Sequence, residues 1–243
     1  MTETATAETP YHDITGRGPV LLLLPGGAGH PMGLGPLTER LATRFTVVTY
    51  DPLGLAHGRL GQPVPEQRVA DWSEGARRVL EAVAPAGGPA YAFGTSSGGI
   101  AALDLLARCP GRMAHVVAHE PPCVTVLPDG AARRAELIEQ LDGPGRLPAE
   151  GGSATPMGVF LARVLRPFTA YTPTVAPPPG RLTIAAGAHS RGQVLHRTAE
   201  LLATRMGCAF TEFPGGHLGT LDHPVEFADA LAGTLLPSAR TSA

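Results

Sequence analysis

The chain turns on one stretch, Ala90-Tyr91-Ala92-Phe93-Gly94-Thr95-Ser96-Ser97-Gly98-Gly99-Ile100-Ala101-Ala102-Leu103. An apolar, β-prone run enters a cluster of Gly, Ser and Thr and leaves through residues at helical spacing, which spells strand, tight turn, helix. The turn has the form G-x-S-x-G. Small residues two before and two after the serine are needed because larger ones would collide with neighbouring elements, and the strain of the turn lifts the hydroxyl into a cleft. Ser96 fits the centre better than Ser97, since Gly94 and Gly98 flank Ser96 whereas Ser97 would have Thr95 at its first small position. The helix that follows aims its N-terminal N–H groups and dipole at the site, which favours developing negative charge. The plainer alternative is a Ser/Gly-rich helix start capped by Ser97. The strand–turn–helix context favours Ser96 as a nucleophile.

Outward from this turn, strand-like runs at 20–24, 45–50, 90–93, 115–119, 182–186 and 209–213 alternate with helical patterns at 37–43, 69–83, 98–107, 193–206 and 225–236. Several of the strand runs are continuously apolar, as in strands covered on both faces. The alternation implies an α/β fold, a mostly parallel sheet flanked by helices with right-handed crossovers. Only Pro121–Pro179, 59 residues, breaks the pattern. Its helix-like pieces at 131–141 and 156–165, with Phe160, Leu161, Val164 and Leu165, suggest a small helical lid. The expected organisation is a core of 11–120 and 180–237, a lid insertion of 121–179, and disordered ends at 1–10 and 238–243.

Composition restricts the function classes. The 243 residues include 31 Gly and 25 Pro, yet 43% are hydrophobic and the net charge is only -2, so a real core can form. All 19 basic residues are arginine, balanced by 21 acidic ones, which gives no electrostatic case for nucleic acid or an anionic membrane. The apolar runs are too short to span a membrane, and the first residues carry Glu3 and Glu8 without a signal-peptide pattern. Cys109, Cys123 and Cys208 lie far apart, without metal-ligand spacing or the even count of a disulfide framework. The expectation is a cytoplasmic globular protein with no metal and no cofactor.

Four segments, each at the end of an expected strand, carry a resemblance: 24–29 (LPGGAG), 50–54 (YDPLG), 94–98 (GTSSG) and 214–219 (PGGHLG). Over roughly residues 18–236 the chain resembles the α/β-hydrolase superfamily, and most of all its short, single-lid serine hydrolases of esterase and lactonase type. The resemblance implies a Ser-acid-His order, ligands bound at the strand ends, and a carbonyl substrate attacked by serine.

Nine histidines compete for the role of base. His217 follows the last strand, and Gly215-Gly216 lets the backbone curl so that its ring reaches back over the sheet edge. It also comes last in the chain order that the superfamily requires. The rival His223 precedes Pro224 and reads as a helix start. His30 and His57 follow strand ends and are candidates to line a pocket or sit in surface loops. In the superfamily the acid most often follows the strand at 182–186, but there the chain has Gly187-Ala188-His189-Ser190, with Ser190 at capping-box spacing. The replacement is Glu120, at the alternative strand end that some members use. Pro121 should keep it extended. Asp51 and Asp222 are the other carboxylates, and pairing of Glu120 with Arg133 or Arg134 is the competing role. Asp51 itself reads as turn-forming.

Acyl transfer also needs two N–H donors where the carbonyl oxygen becomes negative. The resemblance assigns them to Ser97 and Gly27, with Gly26 as the alternative to Gly27. Substrate contacts are expected from Gly26, His30, Phe160 and Val164, although Phe160, Leu161, Val164 and Phe168 would serve equally to pack the lid. Together these residues imply a serine hydrolase acting on an ester, lactone or thioester of a small molecule. The missing carboxylate after 182–186 keeps a second reading, a non-hydrolytic cyclase or lyase on the same scaffold.

Overall fold

A computed structural model describes residues 10–84, 87–142, 154–174 and 176–236. The expected disordered ends therefore lie outside the described residues, apart from Pro10, whose carbonyl bonds the His12 ring at 2.8 Å. The strands are β1 (His12–Gly16), β2 (Val20–Leu24), β3 (Thr46–Tyr50), β4 (Ala90–Thr95), β5 (Met113–His119), β6 (Leu182–Gly187) and β7 (Ala209–Phe213). They form a sheet in the order β1-β3-β2-β4-β5-β6-β7, with β1 antiparallel to β3 and the remaining neighbours parallel. Strand β1 is absent from the expected runs. It is an edge strand with an exposed face and lacks the apolar run that betrays the others.

The sheet is covered on both sides, which is why its central strands read as unbroken apolar runs. On β2, Leu22 and Leu24 face one core and Leu21 and Leu23 the other, all at most 2% exposed. Helices α2 (Val69–Val83), α3 (Ser97–Arg108) and α7 (Val194–Met206) cover the first face through Trp72, Ile100 and Leu202. Helices α1 (Gly35–Ala42) and α9 (Pro224–Leu235), the latter preceded by the short α8 (Gly219–Asp222), cover the second through Leu37, Leu41, Phe227 and Leu231. Each lies within two residues of its expected bounds.

Between β5 and β6 the chain forms α4 (Gly130–Asp142), α5 (Pro156–Val159), a π-type turn over Phe160–Val164, and α6 (Leu165–Thr169). The helix expected over 156–165 thus continues, with a change of pitch, to Thr169. Val164 and Phe168, four residues apart, face down into the main core. Val164 is fully buried there, in the main core rather than in the wall of a cavity, and fastens the insertion. Phe168 meets Trp72 edge-on at 4.7 Å. The Trp72 indole donates to Gln67 Oε1 at 3.1 Å, and the Gln67 backbone N–H donates to the Arg163 carbonyl at 2.9 Å. Truncating such an aromatic leaves a cavity costing about 3–5 kcal/mol. Phe168→Ala should therefore lose stability on that scale, read in urea unfolding followed by the fluorescence of Trp72, the single tryptophan.

Candidate active site

Strand register brings the chemistry together. Thr95 lies opposite His119, His119 opposite Ala185, and Gly187 opposite Phe213. Backbone bonding continues just past the strand ends. Ser96 N–H donates to His119 O at 2.9 Å, Glu120 N–H to Ala185 O at 2.8 Å, and His189 N–H to Gly215 O at 2.8 Å. The residues that follow four neighbouring strands are thereby held on one rim.

Ser96 has φ 52° and ψ -125°, a strained conformation for a residue with a side chain. Close packing around it explains the two glycines. A Cβ on Gly94 would strike the Gly98 backbone, and one on Gly98 would strike the carbonyls of Leu24 and Pro25. The Ser97 hydroxyl donates to Gly27 O at 2.7 Å instead of capping α3, and so ties the loop after β2 to the helix start.

Glu120 also has a positive φ, 42°, so the extended backbone expected from Pro121 does not occur. Its N–H follows the β6 edge, and the turn swings the carboxylate under the loop after β7. There Oε2 accepts from His217 Nδ1 at 2.8 Å and Oε1 from the Gly187 N–H at 3.0 Å. Ser190 adds a side-chain hydrogen bond. It does not cap α7, which starts from Gln193 without a side-chain cap; Ser190 is instead buried in the turn after β6, beside Glu120. Burial of Glu120 opposes its ionisation, but the bonds from His217, Gly187 and Ser190 and the neighbouring His119 prevail and hold the carboxyl at about 2. With Nδ1–H given to a carboxylate, Nε2 of His217 is left as an acceptor, and the residue borders the cavity it shares with Ser96.

His119, given no role by the sequence, is buried between Phe213 and Phe227. Burial pushes its imidazole down to about 4, so it is a neutral wedge beneath the rim. The competing candidates are engaged elsewhere. Asp51 accepts from the Leu55 and Ala56 N–H groups and pairs with His57 at 2.9 Å. Asp222 is exposed, and His223 sits at the N-cap of α9, ahead of Pro224. Arg133 pairs with Asp129 and Glu136, and Arg134 donates to the Arg166 carbonyl.

Ser96 and His217 line two cavities. One, about 420 Å³, lies under the lid against Val124, Leu137 and Leu165. The other, about 290 Å³, runs along Gly26, Gly27 and His30. Phe160 lines both. Four of the six residues expected to form the substrate site and oxyanion loop, Gly26, Gly27, His30 and Phe160, thus border the cavities that Ser96 and His217 line, Ser97 sits at the start of α3 beside Ser96, and Val164 lines neither cavity. Among the described residues no cluster of three or more His, Cys, Asp or Glu is placed to hold a metal, and no helix is long and apolar enough to cross a membrane.

A family model described as "Alpha/beta hydrolase family" matches residues 21–230. The chain belongs to that family and is an enzyme of the alpha/beta hydrolase class. It is 28% identical over 249 aligned residues to YraK of Bacillus subtilis, described as an uncharacterized hydrolase, with 91% of this chain and 90% of that protein covered. Its fold is similar to that of a thermophilic esterase from Thermogutta terrifontis, with TM-score 0.64, 19% identity, and 93% and 92% of the two chains covered. It is similar as well to that of an enol-lactonase from Burkholderia xenovorans LB400, with TM-score 0.62, 16% identity, and 93% and 95% covered.

Holding the Glu120 carboxyl below its ordinary value of 4.5 stabilises the folded chain at neutral pH. A lowered folded pKa gives stability that is complete above the unfolded value and lost as the pH falls toward the folded one. The stability gap between wild type and Glu120→Gln should therefore be constant above about pH 5 and shrink between about 4.5 and about 2. Urea midpoints measured across that range check it; a gap independent of pH would contradict it.

Proposed function

We propose that the protein is a serine hydrolase that cleaves a carboxylic ester, lactone or thioester of a small molecule through an acyl-enzyme. The observation that carries this reading is the 2.8 Å contact from Glu120 to His217 at the edge of a cavity that His217 shares with Ser96. His217 Nε2 takes the Ser96 proton as Oγ attacks the carbonyl carbon. The carbonyl π electrons move onto oxygen, and the backbone N–H groups of Ser97 and Gly27 stabilise that oxyanion. Collapse breaks the bond to the alcohol or thiol, which leaves with the proton from His217. Water, deprotonated by the same ring, then attacks the acyl-enzyme and releases the carboxylic acid and free Ser96. Throughout, Glu120 holds the ring tautomer and balances the imidazolium charge.

The cyclase or lyase reading depends on the missing carboxylate after β6. Glu120 supplies a carboxylate to His217 from the end of β5, and this favours hydrolysis.

A fluorophosphonate should add one phosphonyl group to the wild-type protein, located on Ser96 by peptide mass spectrometry, and none to Ser96→Ala. Turnover of activated short-chain esters should fall by about 10⁶-fold in Ser96→Ala and about 10⁴-fold in Glu120→Gln. An unlabelled Ser96, or Ser96→Ala turning over the substrate at the wild-type rate, would sink the proposal.

A further inference from the structure

The two cavities at Ser96 and His217 are built from different parts of the chain. The lid cavity takes its apolar wall from Pro122 and Val124 after β5, Leu137 of α4, Leu165 of α6, and Val194 and Leu195 of α7. The other lies along the loop after β2, and its outer wall is Met32, Met157, Leu218 and Leu221. In the sheet, β2 is on one side of β4 and β5 and β6 are on the other. The two cavities therefore diverge from the turn that follows β4. Phe160, half-buried, stands between them beside the reacting pair and lines both.

The outer wall of the second cavity is unusual in its exposure. Met32 is 67% exposed, Met157 62%, Leu218 55% and Leu221 39%. Single exposed apolar side chains need no explanation, but four around one mouth form a patch of the kind that marks a binding surface. The patch is continuous with the cavity at Ser96, so its occupant has one end at the serine. Methionine, unbranched and polarisable, suits contact with a chain that slides or varies in length.

From this we infer that the substrate carries an apolar arm on each side of its carbonyl carbon, one under the lid and the other along Met32, Met157, Leu218 and Leu221. The inference rests on the serine-hydrolase reading only for the identity of the group between the arms. Its substrate class is an ester, lactone or thioester with alkyl or aryl substituents on both the acyl and the leaving-group side. Compounds with one long arm and a methyl group opposite would leave half of the apolar wall uncovered.

Two ketones of identical composition separate these cases without any reaction: 6-undecanone has two five-carbon arms, whereas 2-undecanone has one nine-carbon arm and a methyl group. A molecule that binds the native state raises Tm with its affinity. At equal concentration 6-undecanone should raise the Tm of the intact protein more than 2-undecanone. An equal or larger shift from 2-undecanone would overturn the two-armed site. The double variant Met32→Asp, Leu221→Asp should erase the preference, with its fold checked by an unchanged Tm in the absence of ketone. Leu137→Asp, on the lid side, should do the same.

The isomeric esters pentyl hexanoate and methyl decanoate give the catalytic counterpart. Each methylene buried is worth about fourfold in kcat/KM, so pentyl hexanoate should lead by at least about tenfold. The lid-side and loop-side variants should flatten the dependence on opposite partners, one on acyl length and the other on alcohol length; both acting on the same partner would overturn the inference. Fluorophosphonate labelling keeps the two proposals apart. Labelled Ser96 with no advantage for pentyl hexanoate removes the two-armed site and leaves the hydrolase. A preference for 6-undecanone with Ser96 unlabelled and neither ester cleaved removes the hydrolase and leaves the two-armed site.

Discussion

Backbone hydrogen bonding that continues one or two residues past the strand ends is the constraint on which the rest of this site depends. The Ser96 N–H is held by His119, the Glu120 N–H by Ala185, and the His189 N–H by Gly215. Parallel strands place their C-terminal ends on the same rim, and these three bonds fix the height of the residues that leave it. Ser96, Glu120 and the His217 loop come from positions up to 121 residues apart in the chain. They meet because adjacent strands are in register, not because any segment is itself shaped for the chemistry.

Two residues on this rim, Ser96 and Glu120, have positive φ without being glycine. Strain of this kind costs about 1–3 kcal/mol per residue and persists only where the surroundings over-determine it. At Ser96 they do: Gly94 and Gly98 let the start of α3 press against the ends of β4 and β2 so closely that a Cβ at either glycine would strike backbone. At Glu120 the strain is balanced by the three donors collected by its carboxylate, from His217, Gly187 and Ser190. His119 supports both strained residues from below, wedged in the aromatic core against Phe213 and Phe227.

The insertion between β5 and β6 does more than cover the rim. It is fastened through Val164 and Phe168 to the main core, so its π-type turn has a fixed orientation over the site. That turn presents Phe160 to the cavity while burying Val164 four residues later. Positions four apart share a face of a helix, but the two side chains end differently: Phe160 lines both cavities beside Ser96 and His217, and Val164 is sealed in the main core.

By itself the sequence determined the α/β class, the bounds of most strands and helices, the turn at Ser96 and the glycine-rich loop that carries His217. These are local matters: apolar runs, glycines at fixed offsets, and a histidine after a Gly-Gly pair express themselves within a few residues. Glu120 could be named as the acid but not shown to touch His217, because that contact depends on the pairing of β5 with β6 and on the path of the loop after β7. For the same reason Ser190 read as a helix cap, Val164 as a pocket residue and Glu120 as extended: spacing and the following proline describe local preference, and tertiary bonding overrode it. Strand β1 left no trace because an exposed edge has no buried pattern to read. Only the packed structure decided that two cavities, not one, diverge from Ser96, since their walls are assembled from the loop after β2, the lid and α7, segments that no sequence window contains together.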